Sequence, residues 1–572
     1  EGKCEFMDIK WFPELGESGM IPNDDLDLQL LNLHALEQYG PAVRSEHLSR
    51  EWAEHCYFTV DEYGYALSNA RRGFTTPLAG RYNNGFTDCM GSPIRSEIWA
   101  AVCMGKPELA AFFAWQDAVV DHAGGEGIYG EIFNTVLECL AYESTDRERL
   151  VEESLRYLPK TCRVYKAVKS TLEWYREGVS YADIRGKILD AYGTVQRCFT
   201  DAPQNIAFTV VALLYGENFE DGMLKAVNLG YDTDCTVATF ASIYGILFGT
   251  QAIPKKWSDP IGDKIVLSPE VNGFCCPKDL DELTRRTLKL MHQFSYENPA
   301  EYKISEEDLT DYDVQQFTVP SGEKRESSLW ITLKYDDNPS IRENGEKTLF
   351  FRIRNNTAVP WRMELKINCP CGFVSDAPVS VTVQPGKEYR YAPVVRAGQI
   401  KTPYARFALQ VRRLHLSTGG IWTDYQTPFS LMRASRWIIG GEEKWIDGIT
   451  VRFDKPDKNG EYVAETTLFC PEKRLTQLYV SAGPLVELWL DGEKRVESKK
   501  ESLMRPSYTT AVPPDQNIET VIEAGLHSVK IRLQESQTAE KAFAFVVTAQ
   551  KATALPYVRP LIGYDFLDNI IG

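Results

Sequence analysis

Asp25-Leu-Asp-Leu-Gln-Leu-Leu-Asn-Leu-His-Ala-Leu-Glu-Gln-Tyr39 carries leucines at intervals of three and four residues and runs straight into Gly40-Pro41. This spacing marks one face of a helix, and Gly-Pro is a helix stop. The stretch 107–118 begins with proline and an acid, as helices prefer. The same pattern predicts helices at 129–142, 161–175, 205–215, 235–248 and 280–292. Because no strands alternate with these helices, we expect an all-α bundle over residues 1–294.

The pattern changes to a period of two after a polar, acidic stretch, 295–325, that is typical of a linker. Short alternating runs at 328–335, 347–354, 379–383 and 406–412 predict a β-sandwich over 326–438, similar to immunoglobulin or fibronectin modules. Runs at 448–453, 486–491 and 527–533 predict a second sandwich over 441–552, which resembles jelly-roll carbohydrate-binding modules. Residues 553–572 are expected to form a C-terminal tail.

Composition narrows the class of function. A chain of 572 residues is expected to form about three domains. Its net charge of -17 argues against a nucleic-acid partner, and no apolar run is long enough for a membrane span. The N-terminus shows no secretion signal, and the 13 cysteines follow no disulfide framework, so we expect a cytoplasmic protein with reduced thiols. With 7 histidines, a histidine-rich zinc centre is not expected.

Two acidic clusters stand where helices are predicted to begin. Pro22-Asn23-Asp24-Asp25 precedes the first, and Gly230-Tyr231-Asp232-Thr233-Asp234-Cys235 precedes another. Exposed amides at a helix N-terminus stabilise carboxylates, so each cluster could be a helix cap. Each nevertheless offers more acids than one cap uses, and the small residues of 236–245 permit close packing. If the clusters converge, the carboxylates need cations between them, and oxygen ligands select Mg²⁺, Mn²⁺ or Ca²⁺.

These motifs resemble those of the ADP-ribosylglycohydrolases, most closely a bacterial branch with Pro-(Asp/Asn)-Asp-Asp early and Gly-x-Asp-Thr-Asp-Cys late. The resemblance covers about 22–292. Three further segments support it, and they are Gly91-Ser-Pro-Ile-Arg-Ser-Glu97, Asp117-Ala-Val-Val-Asp-His122 and Gly127-Ile-Tyr-Gly-Glu-Ile-Phe133. The family also has a glycine-rich helix ahead of the segment matching Glu1-Gly2-Lys3, which this sequence lacks.

The resemblance implies two divalent cations, usually Mg²⁺, at the centre of the bundle. It assigns the ligands to Asn23, Asp24, Asp25, Asp232 and Asp234. Cys235 follows them where the family often has a threonine, and a thiol is a poor ligand for magnesium. The implied chemistry is hydrolysis of a glycosidic bond at a ribosyl anomeric carbon, with Asp25, Asp232 or Asp234 as the base.

The substrate-binding residues are expected around the same centre. His122 and Glu126 flank a Gly-Gly loop that either lines a sugar pocket or caps a helix, and Gly127 and Tyr129 follow within the family-like segment. Glu97 is a further candidate, although an ion pair between Arg95 and Glu97 is the simpler interpretation. The resemblance adds Asn205 near the substrate, whereas Asp201 stands where the branch often has histidine.

The leading hypothesis is a metal-dependent glycosidase acting on an N- or O-glycosidic bond of a ribosyl or other sugar substrate. The appended β domains favour a glycan or small glycoside over an ADP-ribosylated protein. One alternative is a degenerate sugar- or nucleotide-binding protein, which Asn23 and Cys235 would favour. Another is an assembly protein that forms homo-oligomers through its β domains.

Overall fold

The computed structural model describes residues 21–58, 61–193, 199–320, 327–415, 420–504, 512–549 and 570–571. The chain divides into two compact units, each made from two stretches of sequence. The first combines Glu1–Phe58 with Phe86–Asp311, and the second combines Thr59–Gly85 with Tyr312–Gly572. Among the described residues, no helix is both long and apolar enough to span a bilayer. Apart from 570–571, the predicted tail 553–572 lies outside this description.

The first unit is helical, which confirms the predicted fold class. Its longer helices each present an apolar face to a shared interior, as the leucine spacing predicts. The helices of this unit are α1 (Asp24–Tyr39), α2 (Ser45–His55), α5 (Glu97–Val102), α6 (Pro107–Ala118), α7 (Glu126–Ala141), α8 (Arg147–Ser154), α9 (Arg163–Arg176), α10 (Tyr181–Tyr192), α11 (Ala202–Tyr215), α12 (Phe219–Leu229), α13 (Thr233–Phe248), α14 (Lys255–Ser258) and α15 (Leu280–Phe294).

Helix α1 shows how local sequence sets an element. Asn23 is its N-cap, and its side-chain oxygen accepts a hydrogen bond from the backbone N–H of Leu26 (3.1 Å). Gly40 ends the helix with a φ of 55°, which glycine adopts without a Cβ clash. Leu28 and Leu31 are among the leucines that lie fully buried, so the helix is held by its apolar face and capped at both ends.

The second unit contains two β-sandwiches, again as predicted. In the first, buried side chains of two facing sheets form one core. One sheet has the order β1-β2-β4-β9-β6 with β8 pairing β4, and the other has the order β3-β11-β10-β5-β7. The strands are β1 (Val314–Pro320), β2 (Ser327–Tyr335), β3 (Ser340–Ile341), β4 (Glu346–Asn355), β5 (Trp361–Asn368), β6 (Phe373–Ser375), β7 (Val379–Val383), β8 (Glu388–Tyr391), β9 (Val394–Ala397), β10 (Tyr404–His415) and β11 (Ile421–Arg433).

The second sandwich likewise encloses one core between two sheets. Their orders are β13-β12-β15-β20-β17-β18, with β22 pairing β15, and β14-β21-β16-β19. The strands are β12 (Ser435–Ile439), β13 (Glu442–Ile446), β14 (Thr450–Arg452), β15 (Tyr462–Cys470), β16 (Arg474–Ala482), β17 (Val486–Leu490), β18 (Glu493–Glu497), β19 (Asn517–Ile522), β20 (Gly525–Leu533), β21 (Ala542–Ala549) and β22 (Ile570–Ile571).

Two predicted domain limits need correction. Helices α3 (Asp61–Arg72) and α4 (Leu78–Arg81) lie in the sequence of the helical domain but belong to the second unit. Phe74, Leu78 and Ala79 join the core of the first sandwich, and the backbone N–H of Thr75 donates to the Gln315 side chain (2.9 Å). The predicted linker 295–325 also contains a strand, β1, which pairs with β2 at one sheet edge and places Phe317 in the sandwich core.

Candidate active site

The acidic side chains lie at the N-terminal ends of α1 and α13. Asp24 and Asp25 occupy the first turn of α1, while Asp232 is the N-cap of α13 and Asp234 lies in its first turn. Gly230 and Tyr231, with φ values of 74° and 67°, form the tight turn that leads from α12 into α13. One atom each of Asp232, Asp234 and Cys235 lie within 4.8 Å of one another.

The carboxylates at the two helix ends lie close enough to affect one another's pKa. Burial raises the pKa of the Asp25 carboxyl well above its usual range, and Asp24, Asp234, Glu97 and Asp232 raise it further. Because carboxylates of both clusters act on Asp25, the two clusters lie near one another in the fold. Burial, and then repulsion from Asp234, raises the pKa of Asp232 to about 8.

Two oxygens of this acidic cluster are buried without a hydrogen-bond donor among the residues that the structure describes. They are Oδ1 of Asp25 and Oδ2 of Asp232. Leaving a charged oxygen unsatisfied in the interior costs several kcal/mol unless a proton or a cation is present. The donor set, which consists of carboxylates and the amide oxygen of Asn23, fits hard divalent cations.

Glu97 stands between the two helices that carry the aspartates. It begins α5, and its carboxylate interacts with Gln29 of α1 and Ser242 of α13. Burial raises its pKa to about 7, although those two hydrogen-bonding side chains act in the opposite direction. Glu97 therefore faces the acidic cluster and has the acid–base range of a proton-transfer group. The expected ion pair with Arg95 does not form.

Arg95 instead lies fully buried among other carboxylates. Its guanidinium donates to Asp117 Oδ2 (3.0 Å) and makes two hydrogen bonds to Asp121 (2.7 and 3.0 Å). Trp99 Nε1 donates to the same Asp117 oxygen (2.8 Å). These bonds satisfy the buried charges of Arg95, so it supports the bundle core beneath the site.

Asn205 connects the acidic cluster to α11. Its side-chain oxygen accepts a hydrogen bond from the backbone N–H of Asp232 (3.2 Å), while its amide donates to the carbonyls of Phe199 (2.8 Å) and Asp201 (2.9 Å). All polar groups of the Asn205 side chain are thus engaged with the backbone. This arrangement fixes the start of α13 and gives Asn205 a positioning role.

The other predicted substrate residues gather around the start of α7. His122 is fully buried, with Nδ1 2.8 Å from Asp121 Oδ1. Gly127 packs against that ring, because an added Cβ would lie 2.2 Å from His122 Cδ2. Glu126 accepts hydrogen bonds from the backbone N–H groups of Arg163 and Val164 (2.9 Å each), which caps α9. Tyr129 lies half-buried one turn further along.

Arg163 is a residue that the sequence did not single out. Its guanidinium pairs with Asp201 (2.5 Å), the N-cap of α11, whose backbone carbonyl binds Asn205. A continuous set of contacts therefore runs from Glu126 through Arg163, Asp201 and Asn205 to Asp232. The only sequence signal for it is the acid at 201 in place of a histidine, since an acid there can hold an arginine from another helix.

A profile of the ADP-ribosylglycohydrolases matches residues 4–296, about half of the chain. The chain belongs to the ADP-ribosylglycohydrolase family. The acidic motifs that anticipated this membership both lie inside the matched region.

Individual relatives are distant. The chain is 26% identical over 203 residues to an uncharacterized protein of Archaeoglobus fulgidus, which covers 35% of this chain and 60% of that protein. It is 47% identical over 45 residues to the ADP-ribosylarginine hydrolase Tri1 of Serratia proteamaculans, which covers 8% of this chain and 12% of that enzyme. A solved structure titled "ADP-ribosylglycohydrolase-related protein complex" aligns with 50% of this chain and 88% of its own, at 19% identity and a TM-score of 0.35.

Proposed function

We propose that this ADP-ribosylglycohydrolase family member is a divalent-metal-dependent glycosidase that hydrolyses an N- or O-glycosidic bond of a ribosyl or other sugar substrate. The observation that carries the proposal is the convergence of Asp24 and Asp25 with Asp232 and Asp234, with Glu97 between their helices. Carboxylates that raise one another's pKa in a buried site are typical of acid–base catalysis.

The proposed ligands of two Mg²⁺ ions are the acidic residues and the asparagine at the two helix ends. When bound, the ions supply Lewis-acid contacts to sugar hydroxyls and lower the pKa of a water molecule. Mn²⁺ and Ca²⁺ have the same preference for oxygen ligands. The proposed ligands are Asn23, Asp24, Asp25, Asp232 and Asp234.

We assign proton transfer and charge stabilisation to side chains of the protein. Asp25, Asp232 or Asp234 accepts a proton from the attacking water, and the neighbouring carboxylates stabilise positive charge at the anomeric carbon. Glu97, with a pKa of about 7, lies beside them and is proposed to contact the substrate. His122, Glu126, Gly127, Tyr129 and Asn205 remain proposed substrate residues. We expect His122, Glu126 and Asn205 to act by holding the helices around the acidic cluster in place.

The test is turnover of a panel containing ADP-ribosyl-arginine, nucleosides and nitrophenyl glycosides, with Mg²⁺ and with a chelator. We expect Asp232→Asn and Asp25→Asn to lower kcat/KM by about 100-fold or more, as for loss of a general base. Asp146→Asn is the matched control, because Asp146 is the N-cap of α8 and is not a proposed ligand, and asparagine caps equally well. Magnesium-independent turnover that survives both variants would overturn the proposal.

A binding protein is the second candidate. Cys235 favours it, because this buried side chain occupies a position beside Asp232 and Asp234 where an oxygen ligand is expected. Burial, and then the nearby acids, raises the pKa of the thiol, which keeps it protonated and a poor ligand. Calorimetry that detects ADP-ribose binding, together with no turnover of any panel member, would support this candidate. In that case we expect Cys235→Thr to raise the affinity for Mg²⁺.

A further inference from the structure

A second group of possible metal ligands is shared between α1 and α2. His34 is nine residues beyond Asp25 on α1, which is about 14 Å along the helix. Glu51 and His55 stand one turn apart on α2. His34 Nε2 lies 3.3 Å from Glu51 Oε2, and His55 Nε2 lies 3.4 Å from the same oxygen. One ligand atom from each of the three falls within 4.8 Å of the others.

These distances match the edges of a metal coordination shell. Ligands that sit 2.0–2.2 Å from a tetrahedral ion are separated from one another by about 3.3–3.6 Å. The two nitrogen–oxygen separations at Glu51 fall in this interval. Two imidazoles and one carboxylate are also a common ligand set for zinc and related transition metals, whereas Mg²⁺ prefers oxygen alone.

The hydrogen bond on the far side of His55 fixes its tautomer. Its Nδ1 lies 2.9 Å from the backbone carbonyl of Asn272. A carbonyl can only accept, so Nδ1 carries a hydrogen, and in the neutral ring Nε2 then presents its lone pair to Glu51. A lone pair and a carboxylate oxygen 3.4 Å apart repel unless a proton or a cation lies between them. Ring N–H to carbonyl bonds of this kind commonly orient histidine ligands of metals.

The other contacts leave the inner ligand atoms available. The Tyr39 hydroxyl donates to Glu51 Oε1 (2.6 Å), so Oε2 is the oxygen that remains for the shared position. The Phe274 ring stacks on His34 (5.1 Å between centroids) and meets His55 edge-on (5.6 Å). The histidine side chains are 17% and 16% exposed, against 7% for Glu51, so an ion and a water molecule can reach this position.

We propose that His34, Glu51 and His55 bind one transition-metal ion, with Zn²⁺ as the expected occupant. The ion would fasten α1 to α2, and the bond from His55 to Asn272 would attach both helices to the 272–274 segment. Helix α1 would then contribute to two sites that select different metals, with oxygen donors at its start and the imidazole of His34 further along. This departs from the expectation drawn from the histidine count, because two histidines suffice when a glutamate supplies the third ligand.

The experiment is a titration of the untagged, metal-stripped full chain with Co²⁺ and with Zn²⁺. We expect one equivalent of Co²⁺ to produce the visible bands of a low-symmetry site without a thiolate charge-transfer band, and one equivalent of Zn²⁺ to abolish them. Glu51→Gln and His55→Gln should each weaken Zn²⁺ binding at least about 10-fold. His292→Gln, which changes an exposed histidine of the same unit, should leave it unchanged.

The same titration separates this proposal from the proposed function. Asp232→Asn should keep the Co²⁺ spectrum even though it removes turnover. Circular dichroism of each stripped variant shows whether it is folded, and the spectrum of the unmodified chain decides the question if a variant is not. Three results would each overturn the proposal in favour of a proton shared between Glu51 and the histidines. They are a chain that takes up no Co²⁺ or Zn²⁺, a thiolate band, and undiminished binding by folded Glu51→Gln and His55→Gln.

Discussion

Asp27 is the third acid in the first turn of α1, and it is not one of the proposed metal ligands. Its side chain is fully buried, and Oδ1 accepts a hydrogen bond from the backbone N–H of Ser268 (3.1 Å). No donor among the described residues reaches Oδ2. Burial raises the pKa of Asp27 to about 7 despite the bond from Ser268. The contribution of Asp27 to the stability of the fold therefore depends on pH.

The sign follows from the raised pKa in the folded state. The folded state favours the protonated carboxyl of Asp27. Its contribution to stability is therefore greatest below the unfolded pKa of about 4, and it declines as the pH rises to about 7. Asp27→Asn removes this decline. With a chelator present, we expect the free energy of unfolding of the variant, relative to that of the parent, to increase between pH 5 and 7. The increase should be at most about 1.4 kcal/mol per pH unit. Denaturant unfolding curves measure this, with Asp146→Asn as control, and a pH-independent difference would contradict it.

Helix α9 is capped from a neighbouring helix. The carboxylate of Glu126, at the start of α7, accepts hydrogen bonds from the first two amides of α9, at Arg163 and Val164. Those amides have no partner within their own helix. This single side chain therefore holds α7 and α9 in register at the place where the Arg163–Asp201 pair begins.

Glu126→Ala should destabilise the protein by about 1–2 kcal/mol, because two partly buried amides lose their acceptor. Glu126→Gln keeps one acceptor oxygen and should lose less. Urea unfolding measures both. The control is Glu173→Ala on the exposed side of α9, where we expect a change below about 0.5 kcal/mol. Equal stability of Glu126→Ala and Glu173→Ala would show that the cap is dispensable.

Local signals predicted the elements well. Pro107–Ala118 has the predicted bounds, and α13 begins at Thr233, two residues before the prediction, because proline and the acidic cap mark these ends within a few residues. Contacts between residues on different elements could not be predicted from local sequence. Arg95 pairs with Asp117 and Asp121 rather than with its sequence neighbour Glu97. The acidic motifs identified the candidate site, whereas Arg163 joins it through contacts that no local pattern carries.

On the scale of the molecule, the second unit includes an insert from within the helical sequence. The amphipathic pattern of residues 61–81 is compatible with packing in either unit, so the sequence alone could not assign them to one of the two. Their contacts assign them to the first sandwich. Arg81 pairs with Asp313 (2.7 Å), the backbone N–H of Gln316 donates to the Thr76 carbonyl (3.1 Å), and Ser430 donates to the carbonyl of Arg72.

A fragment of residues 21–311 should therefore expose the apolar side chains of the insert. We expect it to bind a hydrophobic dye more strongly and to associate in solution, because Phe74, Leu78 and Ala79 lose their partners. A fragment of residues 21–433, which adds the first sandwich, is the matched control. Dye fluorescence and size-exclusion chromatography compare the two. A monomeric shorter fragment with no extra dye binding would contradict this assignment.

The insert also affects how the chain emerges during synthesis. Phe74 is translated roughly 240 residues before the strand at Val314, which at 5–20 residues per second is a wait on the order of 10–50 s. Throughout that wait its apolar surface has no native partner, although the flanking helices can already associate. Chaperones that shield nascent apolar segments would have their longest opportunity here, and slowing translation beyond residue 311 should lower the yield of native protein.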